Sequence, residues 1–204
     1  EFGVESDRIE VIPNGIQIQR PPVLSPSNQD LVALARHDVN KNLPALFRGI
    51  DQLQRQWPQW SGTLRIIGCS GPQTSLVQRL HKGLPRPKQV ELINALPQAE
   101  LVALVRASMA LLSASTEEGF DYPVLEAKAE GIPTLISNIP VHREFHSESS
   151  LLFPVDDDGT VLARLVSDLA RDPALWEQLS TRGIELARSL SVKRQVDAIN
   201  AQIR

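Results

Sequence analysis

The sequence predicts an α/β fold built on a doubly wound parallel sheet of about six strands, with helices on both faces. Short apolar runs of strand length recur along the chain, and segments of helical period lie between them. Strands separated by helices of about ten or more residues need right-handed crossovers, which make neighbouring strands parallel. The leading run, Leu31–Ala35, is apolar throughout, as a strand buried on both faces should be.

Each element follows from local pattern. After the first strand, the polar turn Arg36-His37-Asp38-Val39-Asn40-Lys41 leads into a helix from Leu43 to Trp57. Leu43, Leu46, Phe47, Ile50, Leu53 and Gln54 share one face of it, and Pro58 stops it. Thr63–Cys69 reads as the second strand, and Pro72 as a first-turn residue of a helix reaching His81. Val90–Asn94 is the third strand, followed by a helix over Pro97–Arg106. Met109–Ser113 is the fourth, followed by the polar, glycine-containing loop Thr116–Tyr122. A helix over Pro123–Glu130 then closes at Gly131, a natural left-handed cap. Thr134–Ser137 and the short Leu151–Phe153 complete the strands. From Gly159 to Arg204 the pattern is three helices, divided at Asp172-Pro173 and at Ser189-Leu190-Ser191.

Composition bounds the function. With 204 residues and 42% apolar content, the chain is long enough to bury a core as one large domain or two small ones. A net charge of −3 argues against a nucleic-acid partner, which calls for a basic surface. No run approaches the roughly 18 apolar residues of a membrane helix. Cys69 has no second cysteine to pair with, which points to a reducing, cytoplasmic compartment. The sequence starts Glu1-Phe2-Gly3, with neither Met nor a signal-peptide pattern, and so reads as a fragment or a processed chain.

In such a sheet ligands bind beyond the carboxyl ends of the strands, which directs attention to the loops starting at Arg36, Gly68, Asn94, Ala114 and Ser137. Arg36 and Lys41 lie in the first of these, two cations beside helix amides, suited to an anion such as a diphosphate. Their spacing alone proves little, since Arg188 and Lys193 repeat it. In the fourth loop, Glu118 precedes a helix that carries Glu126 one turn in. Carboxylates accept hydrogen bonds from vicinal hydroxyls, so this pair can hold two polyol groups on either side of a phosphate. Glu177 and Glu185 share the separation but lack the strand, the glycine loop and the cap.

Other candidates are poorer. His142 and His146 stand at helical spacing, yet no third metal ligand is evident, and capping or rim histidines are the expectation. Cys69 has no obvious base and reads as a strand-end packing residue. Gly68-Cys69-Ser70-Gly71 lacks the third glycine of a dinucleotide fingerprint, which disfavours a nicotinamide-dependent dehydrogenase. The amphipathic segment Val192–Arg204 reads as a docking helix in preference to one lying on a membrane.

Taken together, these segments resemble glycosyltransferase family 4, retaining enzymes of GT-B fold that use nucleotide sugars. The resemblance rests on Val11-Ile12-Pro13-Asn14-Gly15-Ile16, on Ala35-Arg36 through Lys41-Asn42-Leu43, and on Ile67-Gly68-Cys69-Ser70-Gly71-Pro72. Most specific is Glu118-Gly119-Phe120 with Leu125-Glu126-Ala127 and Gly131-Ile132-Pro133, which is similar to the family's E-x7-E signature. Two departures stand out: Asp121 holds a position that is often Gly, and Ala35 replaces the Gly usual before the arginine.

The resemblance implies a Rossmann-like nucleotide-sugar-binding domain over residues 17–190, the C-terminal half of a GT-B enzyme. Residues 1–16 would be the interdomain lead-in and 191–204 a C-terminal docking helix. Arg36 and Lys41 would bind the donor diphosphate, and Glu118 the sugar hydroxyls, with help from backbone amides of Gly119, Phe120, Asp121 and Tyr122. Glu126 would bind the ribose, and Leu96 would meet the base through backbone groups. It further implies retention at the anomeric carbon, no cofactor and no metal, and a GDP- or UDP-linked hexose, mannose or glucose, as donor. The acceptor would be a glycan or lipid-linked, and the enzyme cytoplasmic, with room for peripheral contact at the membrane face. An acceptor-binding N-terminal domain would be missing here, so the chain alone would be nearly inactive. The competing expectation is a non-catalytic nucleotide-sugar-binding regulatory module.

Overall fold

The computed structural model describes residues 9–203. Six parallel strands form one sheet in the order β3-β2-β1-β4-β5-β6: β1 Leu31–Leu34, β2 Leu64–Ile67, β3 Val90–Ile93, β4 Ala110–Ser113, β5 Thr134–Ser137 and β6 Leu151–Phe153. Strand order reverses between β1 and β4, which opens a crevice at their carboxyl ends. Register is regular, with Leu31 opposite Leu64 on one side and Ala110 on the other.

Alternation along the strands distributes the core to two faces. Leu31, Ala33, Leu64, Ile66, Ala110 and Leu112 meet α1 (Leu43–Gln56), α2 (Thr74–Gly83) and α6 (Thr160–Arg171). Val32, Ile67, Leu111 and Ile136 meet α3 (Gln98–Ala107) and α4 (Tyr122–Ala129) on the opposite face. All six residues expected on the inner face of α1 are buried, Gln54 included, because its amide side chain pairs with the backbone of Arg86. α7 (Pro173–Ser189) packs against α4, and its Trp176 donates a hydrogen bond from Nε1 to the Met109 carbonyl at 2.8 Å.

The structure corrects several boundaries. α2 begins at Thr74, after a turn in which the Thr74 hydroxyl bonds both the amide and the carbonyl of Gly71, so Pro72 lies outside the helix. A seven-residue helix, α5 (Pro140–His146), fills the connection between β5 and β6 that showed no clear period. Cys69 is exposed, because β2 ends at Ile67, and so it does not pack a strand end. Gly131 takes the expected left-handed cap at φ 82°, and a Cβ there would meet the Val23 carbonyl oxygen at 2.4 Å.

The last helix, α8 (Val192–Gln202), has no buried residue among those described, and Val192, Val196 and Ile199 stay exposed. It is tied instead through polar groups to the segment at 14–16: Ile16 bridges Ser191, and Gln195 accepts from the Gly15 amide at 2.9 Å. No helix among the described residues is long and apolar enough to cross a membrane.

Candidate functional site

The loops after β1 and β4 meet at the switch point. Behind the first, Gly68 lets the loop after β2 approach: a Cβ there would lie 2.0 Å from the Ala35 carbonyl oxygen. A single 3₁₀ turn, Val39–Lys41, then delivers Lys41, and Asn42 at φ 45° turns the chain into α1. The Thr116 amide donates to the Asn40 carbonyl at 2.8 Å, clipping the two loops together.

That clip brings Lys41 to Glu118. Lys41 Nζ lies 2.5 Å from Glu118 Oε1, and the Ser115 hydroxyl donates to the same oxygen at 2.6 Å. Both side chains are largely covered, whereas Arg36 is mostly exposed and lies 3.4 Å from Asp38. Two residues read from sequence as ligands for different groups thus neutralise each other.

Asp121 stands immediately before α4 at φ 60°, the left-handed region. An Asp at that position ordinarily accepts from the first amides of its helix. Here it cannot, because Pro123 has no N–H and the Val124 amide donates to the Asp121 carbonyl, and its carboxylate turns inward, where Oδ2 accepts from Ser113 Oγ at 2.6 Å and from His142 Nε2 at 3.0 Å. Burial pushes the Asp121 carboxyl up, but the hydrogen bonds from His142 and Ser113, with the charges of His142 and Lys41, hold it below the usual carboxylate range. The backbone amides of Gly119, Phe120, Asp121 and Tyr122 find no acceptor among the described residues. An anion placed there would meet those amides and the positive end of the helix.

The remaining expected residues fall into two groups. Glu126 stays exposed on α4 and forms no ion pair among the described residues, while the walls around it remove enough water to push its carboxyl up. It lines a cleft of about 220 Å³ with Leu34, Pro123, Gln98 and the segment Ile16 to Arg20. Glu118 instead borders an open groove of about 660 Å³ between residues 11–14 and α5. Leu96 leans partly buried on the core face formed by Val32 and Leu111. Phe120 is a core side chain packed edge-on to Phe145 at 5.3 Å, which leaves its amide as the group open to a ligand, while the Tyr122 ring is exposed.

Sequence reading missed three groups. His142 and His146 are fully buried, not rim residues, because α5 tucks under the Glu118 loop. His142 pairs with Asp121, whereas neither ring nitrogen of His146 makes a hydrogen bond among the described residues. Burial first, then the charges of Lys128 and His142, push His146 down to about 3. Lys128, on the inner side of α4, donates from Nζ to the Ser149 carbonyl, the Ser149 hydroxyl and the Ser150 hydroxyl, and burial pushes it down to about 7. The i, i+4 spacing of the histidines was visible, but their partners are distant in sequence.

Residues 16–186 match the family model described as glycosyl transferases group 1. The chain is similar to an exopolysaccharide phosphotransferase of Streptomyces coelicolor, 31% identical over 187 residues, covering 90% of this chain and 19% of that protein. It is similar to the O-antigen chain mannosyltransferase RfbU of Salmonella typhimurium, 24% identical over 157 residues, covering 77% of this chain and 43% of that one. Among solved structures it superposes on a TarM mutant of S. aureus in complex with Fondaparinux, alpha-GlcNAc-glycerol and UDP. There the TM-score is 0.83 at 16% identity, covering 96% of this chain and 39% of that one. The chain spans less than half the length of either curated relative.

Proposed function

The chain belongs to the glycosyl transferases group 1 family, and on that premise we propose that it is the donor-binding domain of a retaining hexosyltransferase. The observation that supports this best is Lys41 and Glu118 held together beside the uncapped start of α4, at the switch point of the sheet. A nucleotide diphosphate meets there one cation, a set of unpaired amides and a helix N-terminus, with Arg36, exposed and beside Asp38 in the loop after β1, as the proposed second cation. Glu118 holds hydroxyls of the transferred sugar, Glu126 the ribose, and the backbone near Leu96 the base.

Gly119 adds support of a different kind. A Cβ there would meet nothing within 4 Å, and its φ is not in the left-handed region. Neither packing nor conformation requires glycine, so close approach of a ligand to the backbone accounts for it.

In the proposed reaction the bond between the anomeric carbon and the diphosphate breaks, the acceptor hydroxyl oxygen takes its place on the same face, and the hydroxyl proton passes to the leaving diphosphate. Positioning and stabilisation of charge on the leaving diphosphate carry the rate. Lys41, Arg36 and the amides of residues 119–122 offset that charge from the protein itself, with no metal or cofactor in the proposed scheme. Relatives in O-antigen synthesis and a UDP-bound structural neighbour make a GDP- or UDP-linked mannose or glucose the proposed donor. A glycan or lipid-linked acceptor, met at the cytoplasmic membrane face, is the proposed partner, held by the acceptor-binding domain that a GT-B enzyme pairs with a donor-binding one. The domain alone is then expected to bind nucleotide without appreciable transfer.

Calorimetric titration of the chain with UDP, GDP, ADP and NAD tests the reading. Binding of UDP or GDP is expected; binding of NAD alone would overturn the assignment.

A further inference from the structure

Beneath the Glu118 loop, the His142 ring is wedged between two acceptors. Its Nδ1 lies 2.7 Å from the Ser137 carbonyl oxygen and its Nε2 3.0 Å from the Asp121 carboxylate, in a site with no solvent exposure. A carbonyl oxygen only accepts, and the Asp121 oxygen also receives the Ser113 hydroxyl. Both ring nitrogens thus face acceptors, and the ring pairs through Nε2 with a buried carboxylate.

This arrangement answers a question the site raises. Asp121 stands beside the backbone amides of residues 119–122, which find no acceptor among the described residues, yet its carboxylate binds none of them. Free of His142, its carboxylate could turn to those amides, or stay buried as an unpaired negative charge beside them. Either outcome opposes an incoming phosphate. The network also extends sideways: the Ser137 hydroxyl donates to the Ser115 carbonyl, and the Ser115 hydroxyl donates to Glu118.

We propose that His142 is a positioning residue, which holds the Asp121 carboxylate inward, away from the open amides of residues 119–122, and so keeps the anion-binding loop before α4 open. The proposal rests on the donor-binding reading above and assigns α5 a role in it. His142 touches no substrate; it acts through Asp121.

The test is a rescue experiment read by calorimetry with UDP and GDP on the whole chain. His142→Ala is expected to weaken binding about tenfold, the size of one opposed charge-assisted contact. Asp121→Gly suits φ 60° and removes the competing carboxylate. Added to His142→Ala, it is expected to restore binding to within about threefold of the parent. A purely structural role for His142 predicts the opposite, because the double variant loses still more of the network. Should thermal melting show that His142→Ala does not fold, His142→Gln with and without Asp121→Gly carries the same comparison. Parent-like binding by the single variant, or a double variant no tighter than the single, would overturn the proposal. Failure of the parent chain to bind either nucleotide would instead overturn the donor-binding reading on which it rests.

Discussion

Lys128 offers a prediction whose size follows from the structure. Its ammonium lies fully buried on the inner side of α4, satisfied by oxygens of Ser149 and Ser150 and by no carboxylate among the described residues. Burial brings it down to about 7 from 10.5. Between those values the unfolded chain binds more protons than the folded one, so stability rises with pH across the window. Below about 7 the cost of burying the charge is at its full, constant size. At about 1.4 kcal/mol per tenfold change in proton affinity, the whole rise is roughly 5 kcal/mol.

Lys128→Met removes the titrating group and keeps the volume. It also deprives three acceptors of a donor, at about 1 kcal/mol each. Setting the two against each other, the variant is about 1–2 kcal/mol more stable than the parent at pH 7 and about 2 kcal/mol less stable near pH 10, with the curves crossing near pH ~8. Urea denaturation of both proteins across this range measures the difference and cancels contributions from other titrating groups. A parent-minus-variant difference that stays flat from pH 7 to 10 refutes the reasoning.

Three further outcomes follow from named contacts. Lys41→Ala should weaken UDP or GDP binding by about 1–3 kcal/mol in calorimetry, while Glu177→Ala, the spacing decoy exposed on α7, should leave it unchanged. Gly119→Ala should melt within about 2 °C of the parent, since its Cβ meets open space, yet weaken nucleotide binding; tight binding by that variant removes the argument from close approach. Gly131→Ala should lower stability by about 1–3 kcal/mol in denaturant melts, because φ 82° is strained for alanine and the Val23 carbonyl blocks the added carbon.

Much of this fold was legible because its signals are local. The face of α1 repeats at helical period over fourteen residues, and every residue assigned to it is buried. Gly131 announces its own backbone angle. α5 escaped notice because seven residues make barely two turns, too few for a period to emerge. The start of α2 shifted because a threonine hydroxyl, and not the proline before it, closes the turn. At the site, sequence put Arg36 and Lys41 in the loop after β1, Glu118 in the loop after β4 and Glu126 on the helix that follows, which is where the structure has them, but it could not show that two of them pair. It read Asp121 only as a departure from glycine, since its partner His142 is 21 residues away and visible only once β5 and α5 are in place.

On the proposed donor-binding reading, the pairing of Lys41 with Glu118 changes what binding must accomplish. In the free protein each satisfies the other, and Ser115 supplies the remaining bond to the carboxylate. A diphosphate that takes Lys41 leaves Glu118 without its cation, in a place where an uncompensated carboxylate is costly. Sugar hydroxyls, as donors, relieve that cost; a bare nucleotide diphosphate has none at this position. The two ligand groups are therefore coupled through one ion pair. On this logic the intact nucleotide sugar gains more from Glu118 than a sum of separate contacts allows, and the gain disappears with the pair. A double-mutant cycle on Lys41→Ala and Glu118→Gln, read with the nucleotide and with the nucleotide sugar, should show the larger coupling for the sugar-bearing ligand.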